Sequence, residues 1–422
     1  MKRSGAALWA LVSLLLGACS DAGTSQGDGA EVVFQVSGEA EEVAVYRTLI
    51  SAYEKDNPGA DIKLVEVADK DDHLQKLATA FSAGDPPDVF LINFREYAQF
   101  VTRGAIEPAG PLVEGQGTDL TDYYEQPLEA FTFDGELQCM PQNISSLVVY
   151  YNKTLFREAG LEPPAPDWTF EEMRAAAIDL TQGDVRGLGI EPNVIRLAPF
   201  VWSAGGEVVD DLVAPTRFTL DTPDARRAVQ SIIDLVREDQ VVPTEEEVAA
   251  QDLETRFAAG KLGMFLSSRR DTPVFREVTD LKWDVAQLPL IGEPATILHS
   301  DAYCVSRGTP NLEAAAEFVA YATGSQGQTI TALAGRTVPS LREVAQSGAF
   351  LDPLRPPRHS EVFLESIEHM QRTPVLATWT EIEDVAEEIF TRAFYEDGYT
   401  LDDALRDLAE QADPLFEEAN SG

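Results

Sequence analysis

Cysteine and histidine are scarce in this chain: three Cys and four His among 422 residues. The histidines, at 73, 299, 359 and 369, are scattered, which argues against a His-rich metal site of the kind zinc enzymes build. Basic residues are outnumbered, 32 Lys and Arg against 72 Asp and Glu, and the formal net charge is −40. A surface of that sign repels phosphate backbones and anionic headgroups, so nucleic acid is not an expected partner. HExxH, G-x-S-x-G and the Walker loop are all missing, and with them the signatures of zinc peptidases, nucleophile-elbow hydrolases and P-loop NTPases. The many carboxylates leave room for a glycosidase pair, but no motif points to one. Beyond the first residues, no apolar run reaches the roughly 20 residues that span a bilayer. Neither a metal nor a cofactor is expected.

What is present begins with a leader. Lys2 and Arg3 are followed by an apolar run from Ala6 to Leu16 and then by Leu16-Gly17-Ala18-Cys19. Positive charge, a short apolar stretch and small residues make a secretory signal peptide over 1–18. A Cys at that point resembles the lipobox of bacterial lipoproteins, in which the thiol takes a diacylglycerol. The expectation is a protein exported, lipidated on Cys19 and held outside the cell membrane, periplasmic or outward-facing, with the lipid as its only membrane contact. The competing reading is a plain leader with an incidental Cys. Loss of 1–18, whose only charges are Lys2 and Arg3, takes the net charge from −40 to −42. Cys139 and Cys304 remain, an even pair in an oxidising compartment, either bridged or two buried thiols.

Hydrophobic content of 44% is that of a globular protein, and the length favours two domains over one. Residues 19–30 are small and polar and read as a flexible tether. From Glu31 the chain alternates strand and helix. Strands are predicted at Val32–Val36, Ile62–Val67 and Val89–Ile92, with helices over Val43–Tyr53 and His73–Phe81 between them. This β-α-β-α-β order implies an α/β fold with a mostly parallel sheet. Further on, Thr169 with Glu172 forms a capping box for a helix over Phe170–Leu180. Helices follow at Ala225–Glu238 and Leu312–Thr323. Ile382, Val385, Ile389 and Ala393 share one face of another, and Thr400 with Asp403 opens the last.

Five stretches in one order resemble the extracytoplasmic solute-binding proteins of bacterial ABC importers, in the maltose-binding-like, carbohydrate-preferring cluster (family 1). They are GELQCMPQNISSLVVYYNKTLFREAGLEPPAPDWTFEEM (135–173), AFSAGDPPDVFLINFREYAQFVTRGAIEPAGPLV (80–113), PFVWSAGGEVVDD (199–211), AAGKLGMFLSS (258–268), and PNLEAAAEFVAYATGSQGQ (310–328) with GRTVPSLREV (335–344). The resemblance implies a two-lobed periplasmic-binding-protein fold of type II, with discontinuous lobes over 31–138 plus 293–345 and over 141–290 plus 350–422. It implies a ligand cleft between them that closes by hinge motion, no catalysis, a small carbohydrate as ligand, importer permease subunits as partners and a monomeric chain. It also implies that Cys139 and Cys304 lie on neighbouring strands of one sheet and bridge. One stretch departs from the pattern. His299-Ser300-Asp301-Ala302-Tyr303 stands where the family often has small residues, which brings bulkier polar groups toward the cleft.

A sugar cleft needs flat aromatics for C–H faces and polar groups for hydroxyls. Trp379 and Trp202 are the aromatic candidates; the plainer alternative for each is packing in a lobe. Gly38, Glu39, Asn93, Arg95 and Glu96 follow strands of the first lobe, whose ends line the crevice in doubly wound sheets. Asn143 and Ser145 lie at the first lobe crossing, or bond locally to backbone. Ser267, Arg269 and Arg270 follow the fourth stretch. The two arginines suit an anionic or hydroxyl-rich ligand, or else surface ion pairs. Asp301, Tyr303 and Arg336 complete the candidates. The runners-up are the same fold binding an anionic sugar, a sugar phosphate, a peptide or an amine, and a secreted glycoside hydrolase.

Overall fold

The computed structural model describes residues 31–421, so the leader, Cys19 and the tether lie outside the described residues. Strand Glu31–Ser37 buries Val32, Phe34 and Val36. Helix Ala40–Asp56 follows and turns Val43, Tyr46, Leu49, Ile50 and Tyr53 inward, the three-and-four spacing of an amphipathic helix. Strand Asp61–Val67 returns parallel to the first, with Val32 opposite Ile62. Helix Lys70–Ala83 starts at Asp69, whose carboxylate accepts the Asp72 N–H at 2.9 Å, and ends at Gly84 in the left-handed conformation. Strand Val89–Asn93 then adds to the first strand, also parallel. The fourth main strand, Asp301–Ser306, enters from two hundred residues further on and runs antiparallel, with Tyr303 opposite Leu91.

The second sheet joins Arg186–Gly189, Leu262–Ser267, Val148–Asn152 and Trp283–Ala286 in that order. Its strands are apolar on both faces, as a sheet covered on both sides requires. Tyr150 packs on one side against Phe275 and Trp283, with ring centroids 5.3 and 5.5 Å away. Tyr151 points to the other side, against Phe156. Helix Phe170–Leu180 carries the expected capping box and lies so close to the sheet that a Cβ on Gly187 would meet the Ala177 carbonyl at 1.9 Å. The C-terminal helices Trp379–Tyr395 and Leu401–Ser421 pack on this second lobe.

The chain passes between the sheets three times. A small connector sheet joins the crossings: Ser145–Ser146 pairs antiparallel with Thr296–His299, which pairs parallel with Met370–Gln371. The fold is thus two α/β lobes, each discontinuous in sequence, about one connector. Among the described residues no helix is long and apolar enough to cross a membrane.

Cys139 and Cys304 are register partners on neighbouring strands of the first sheet, with Cα atoms 4.4 Å apart, and their sulfurs are bonded. The bridge closes a loop with a sequence separation of 165, so the chain-entropy picture assigns it about 5 kcal/mol. Replacing both cysteines by serine is expected to lower the unfolding free energy from denaturant melts by about that much, read as a lower midpoint. Free thiols alkylated in the unfolded, unreduced protein would contradict the bond.

Candidate functional site

The ends of the parallel strands and the connector open onto one interlobe cavity of about 490 Å³. The first lobe contributes Gly38 and Glu39 after the first strand, Asn93, Arg95 and Glu96 after the third, Asp301 at the start of the returning strand, and Arg336. The crossing contributes Asn143, Ser145 and His299. The second lobe faces them with Glu191, Asn193 and Arg196 at the start of helix Val194–Ser203, with Glu254, and with Arg270 and Asp271 past strand Leu262–Ser267.

The floor is a fixed amide–carboxylate knot. Asp301 accepts from Asn93 Nδ2 and Asn143 Nδ2, both at 3.0 Å, and its backbone N–H donates to Asn143 Oδ1 at 2.8 Å. Around it every cation has a carboxylate. Lys70 pairs with Glu96, Arg196 with Glu191 at 2.8 Å, Arg270 with Asp271 at 3.0 Å and Arg336 with Glu42 at 2.8 Å. Arg95 reaches across the cleft to Glu383 on helix Trp379–Tyr395, so this pair joins the two lobes.

Burial sets the protonation states. It raises Glu96 and Glu42, against the lowering effect of Lys70 and of Arg336 respectively. Burial first, and then Arg95, Arg196 and Arg270, hold the His299 imidazole well below its ordinary value, so it is neutral. Its Nε2 is buried without a hydrogen-bond partner among the described residues. Burial, reinforced by Asp271 and opposed by Arg270, pushes Glu254 up to about 7.

Ten of the fifteen residues picked from sequence line this cavity, and five do not. Trp379 is fully buried in the second lobe, its ring centroid 6.3 Å from those of Phe218 and Phe416 and its indole N–H donating to Glu383 Oε1 at 2.8 Å. The stacking role is thereby corrected: the start of this helix turns its aromatic into the core, and Glu383, one turn on, takes the pair with Arg95. Trp202 borders a different pocket, with Leu298, Met370 and Pro374. Leu298 and His299 are successive strand residues, so they point to opposite faces of the connector, and Trp202 lies between the lobes on the face opposite the cavity described above, across from Gln126 and Glu129. Ser267 is buried and bonds Asp271. Tyr303 is sealed beneath the floor against Phe34, its hydroxyl donating to Gln142 Oε1 at 2.7 Å.

Arg269 is the fifth. It is 1% exposed, sandwiched by Phe350 and Phe363 with its guanidinium carbon 4.6 and 5.2 Å from the ring centroids. It donates to the Gly335 carbonyl at 2.9 Å and to Ser360 Oγ at 3.1 Å. Burial, with Arg276 adding, lowers it to about 9, so it keeps its charge at neutral pH. Only Arg270 of the basic pair faces the cleft, because consecutive residues of the turn diverge. Glu191, Arg196, Glu254 and Thr337 escaped the sequence reading: they stand at helix starts and turns far apart in the chain, with no local pattern to mark them.

Residues 48–356 match the model of a family described as bacterial extracellular solute-binding protein. A binding protein of Brucella abortus is 25% identical over 411 residues, covering 96% of this chain and 97% of that one. The diacetylchitobiose-binding protein of Streptomyces coelicolor is 23% identical over 320 residues, 74% of this chain and 72% of the other. Among solved structures, an ABC substrate-binding protein from Listeria monocytogenes in complex with cycloalternan superposes with a TM-score of 0.82 at 24% identity, covering 92% of this chain and 99% of that one.

Two substitutions test this geometry. Trp379→Ala is expected to cost about 3–5 kcal/mol of stability, the loss for a core aromatic; a stable variant would contradict its burial. Glu254 binds its proton more tightly folded than its ordinary value of 4.5 allows, so its contribution to stability falls as pH rises from 4.5 to about 7. Glu254→Gln is therefore expected to melt above the parent at about pH 8, with the margin shrinking toward about pH 4. A margin independent of pH would contradict the shift.

Proposed function

Because the chain belongs to the bacterial extracellular solute-binding proteins, which bind and do not catalyse, we propose that it is the lipid-anchored capture subunit of an ABC importer. On this reading it takes a small carbohydrate into the interlobe cleft and presents it to the membrane permease as a monomer. The lobes are 31–138 plus 293–345 and 141–290 plus 350–422, and Cys19 carries the lipid. The observation that carries the proposal is the cleft itself: polar side chains converge on it from both lobes, and one ion pair, Arg95–Glu383, already spans it. A ligand that contacts both walls favours the closed arrangement, since its contacts are complete only there. The likeness to proteins described as binding diacetylchitobiose and cycloalternan supports a carbohydrate as the cargo.

A thermal-shift screen of mono- and oligosaccharides tests the reading. A ligand that binds only the folded state adds about 2.7 kcal/mol at a hundredfold excess over Kd, which reads as a clear rise in melting temperature. Recovered sugar should be unchanged; cleaved sugar, or no shift with any carbohydrate, would overturn the proposal. In the same host, the parent should partition into detergent and Cys19→Ala should not, because stable anchoring needs more than one acyl chain. Lipidation of the variant would refute the anchor.

A further inference from the structure

We propose that the cleft selects a small hydroxylated solute bearing a free amino group, with its ammonium seated against Glu254. This rests on the reading of the cleft as the solute site, and it names the chemistry of the cargo.

Among the described residues, the cleft lining contains no Phe, Tyr or Trp. A neutral oligosaccharide held by stacking has no ring to stack on here, so recognition falls to charges and hydrogen bonds. The charges are unequally satisfied. Lys70, Arg95, Arg196, Arg270 and Arg336 each have a carboxylate within salt-bridge distance. Asp301 has its oxygens bonded by two amides. Glu254 lines the same cavity, is partly buried, and has neither an ion pair nor a side-chain hydrogen bond among the described residues. Glu39, also unpaired, faces it from the opposite lobe.

An anionic ligand would have to detach an arginine from its partner and then lie near an uncompensated carboxylate. An ammonium does the reverse: it supplies a counter-charge that Glu254 lacks, in a partly desolvated site, where a charge-assisted hydrogen bond is strongest. The acidity of the whole chain draws cations toward it. Two further groups specify hydroxyls. Thr337 is 7% exposed and lines the cleft, and among the described residues its Oγ1 has no partner; nor has the buried His299 Nε2. A hydroxyl donates and accepts, so it satisfies either group whichever nitrogen of His299 carries the proton.

The test is calorimetric titration of the full-length protein with glucosamine, galactosamine and glucamine, each against its N-acetyl form, its neutral parent and the corresponding hexose phosphate. A free-amine member is expected to bind about tenfold or more tighter than its N-acetyl and neutral counterparts at about pH 7.5. The margin should collapse at about pH 5.5, where the amine stays charged and the carboxylate is protonated. The charged groups facing that carboxylate are Asp252, which caps its helix Leu253–Ala258, Arg270 and Asp271 on the adjoining turn, and Glu39 from the other lobe. Glu254→Gln should remove the margin while keeping the fold. The comparison of ligands and of pH on the unaltered protein stands whether or not that variant folds. Equal or tighter binding of the neutral or N-acetylated sugars overturns the amine and leaves the carbohydrate reading intact. Binding of the phosphates alone overturns the amine in favour of an anion, and binding of nothing on the panel overturns both readings.

Discussion

The structure turns on charge pairing inside a cleft that two lobes share. Isolated charges cannot sit in a partly desolvated cavity; each needs a counter-charge or it shifts its protonation. The five cleft cations meet that condition with five carboxylates, and the Arg95–Glu383 pair does so across the gap. The relative position of the lobes and the electrostatics of the site are therefore one problem. The connector sheet makes this possible, because three crossings hold the strand ends opposite one another.

The two neighbouring arginines show how the same residue type serves two ends. Arg270 faces the cleft and is neutralised by Asp271. Arg269 has no carboxylate partner among the described residues and is held by a carbonyl, a hydroxyl and two aromatic faces. Its bond to Gly335 fixes the residue just before Arg336, so a fully buried cation of the second lobe helps to position a cleft residue of the first.

Much of the fold was legible in the sequence because periodicity and capping are local. The alternation in Val32–Val36, the inward stripe from Val43 to Tyr53 and the Thr169–Glu172 box each need only a few residues to declare themselves. The strand-end residues Asn93, Arg95 and Glu96 were legible for a general reason, that crevices form where parallel strands end, and Asp301 because its stretch departs from the family pattern toward bulkier polar groups. The aromatic part of the site was not. A Trp at a helix start can turn to the cleft or to the core, and what decides the case of Trp379 is Phe218 and Phe416, far off in the chain. Glu254 and Thr337 matter because they lack partners, and a missing partner is visible only when the whole cavity is assembled.

Small-angle scattering on the full-length protein, without added ligand, tests the central claim that charge pairing across the cleft sets the position of the lobes. The variants are Arg95→Ala and Glu383→Gln, the second of which keeps an acceptor for the Trp379 indole. The account predicts a larger radius of gyration for both than for the parent, with the lobes swung apart about the connector. Scattering profiles that superpose on that of the parent would contradict it.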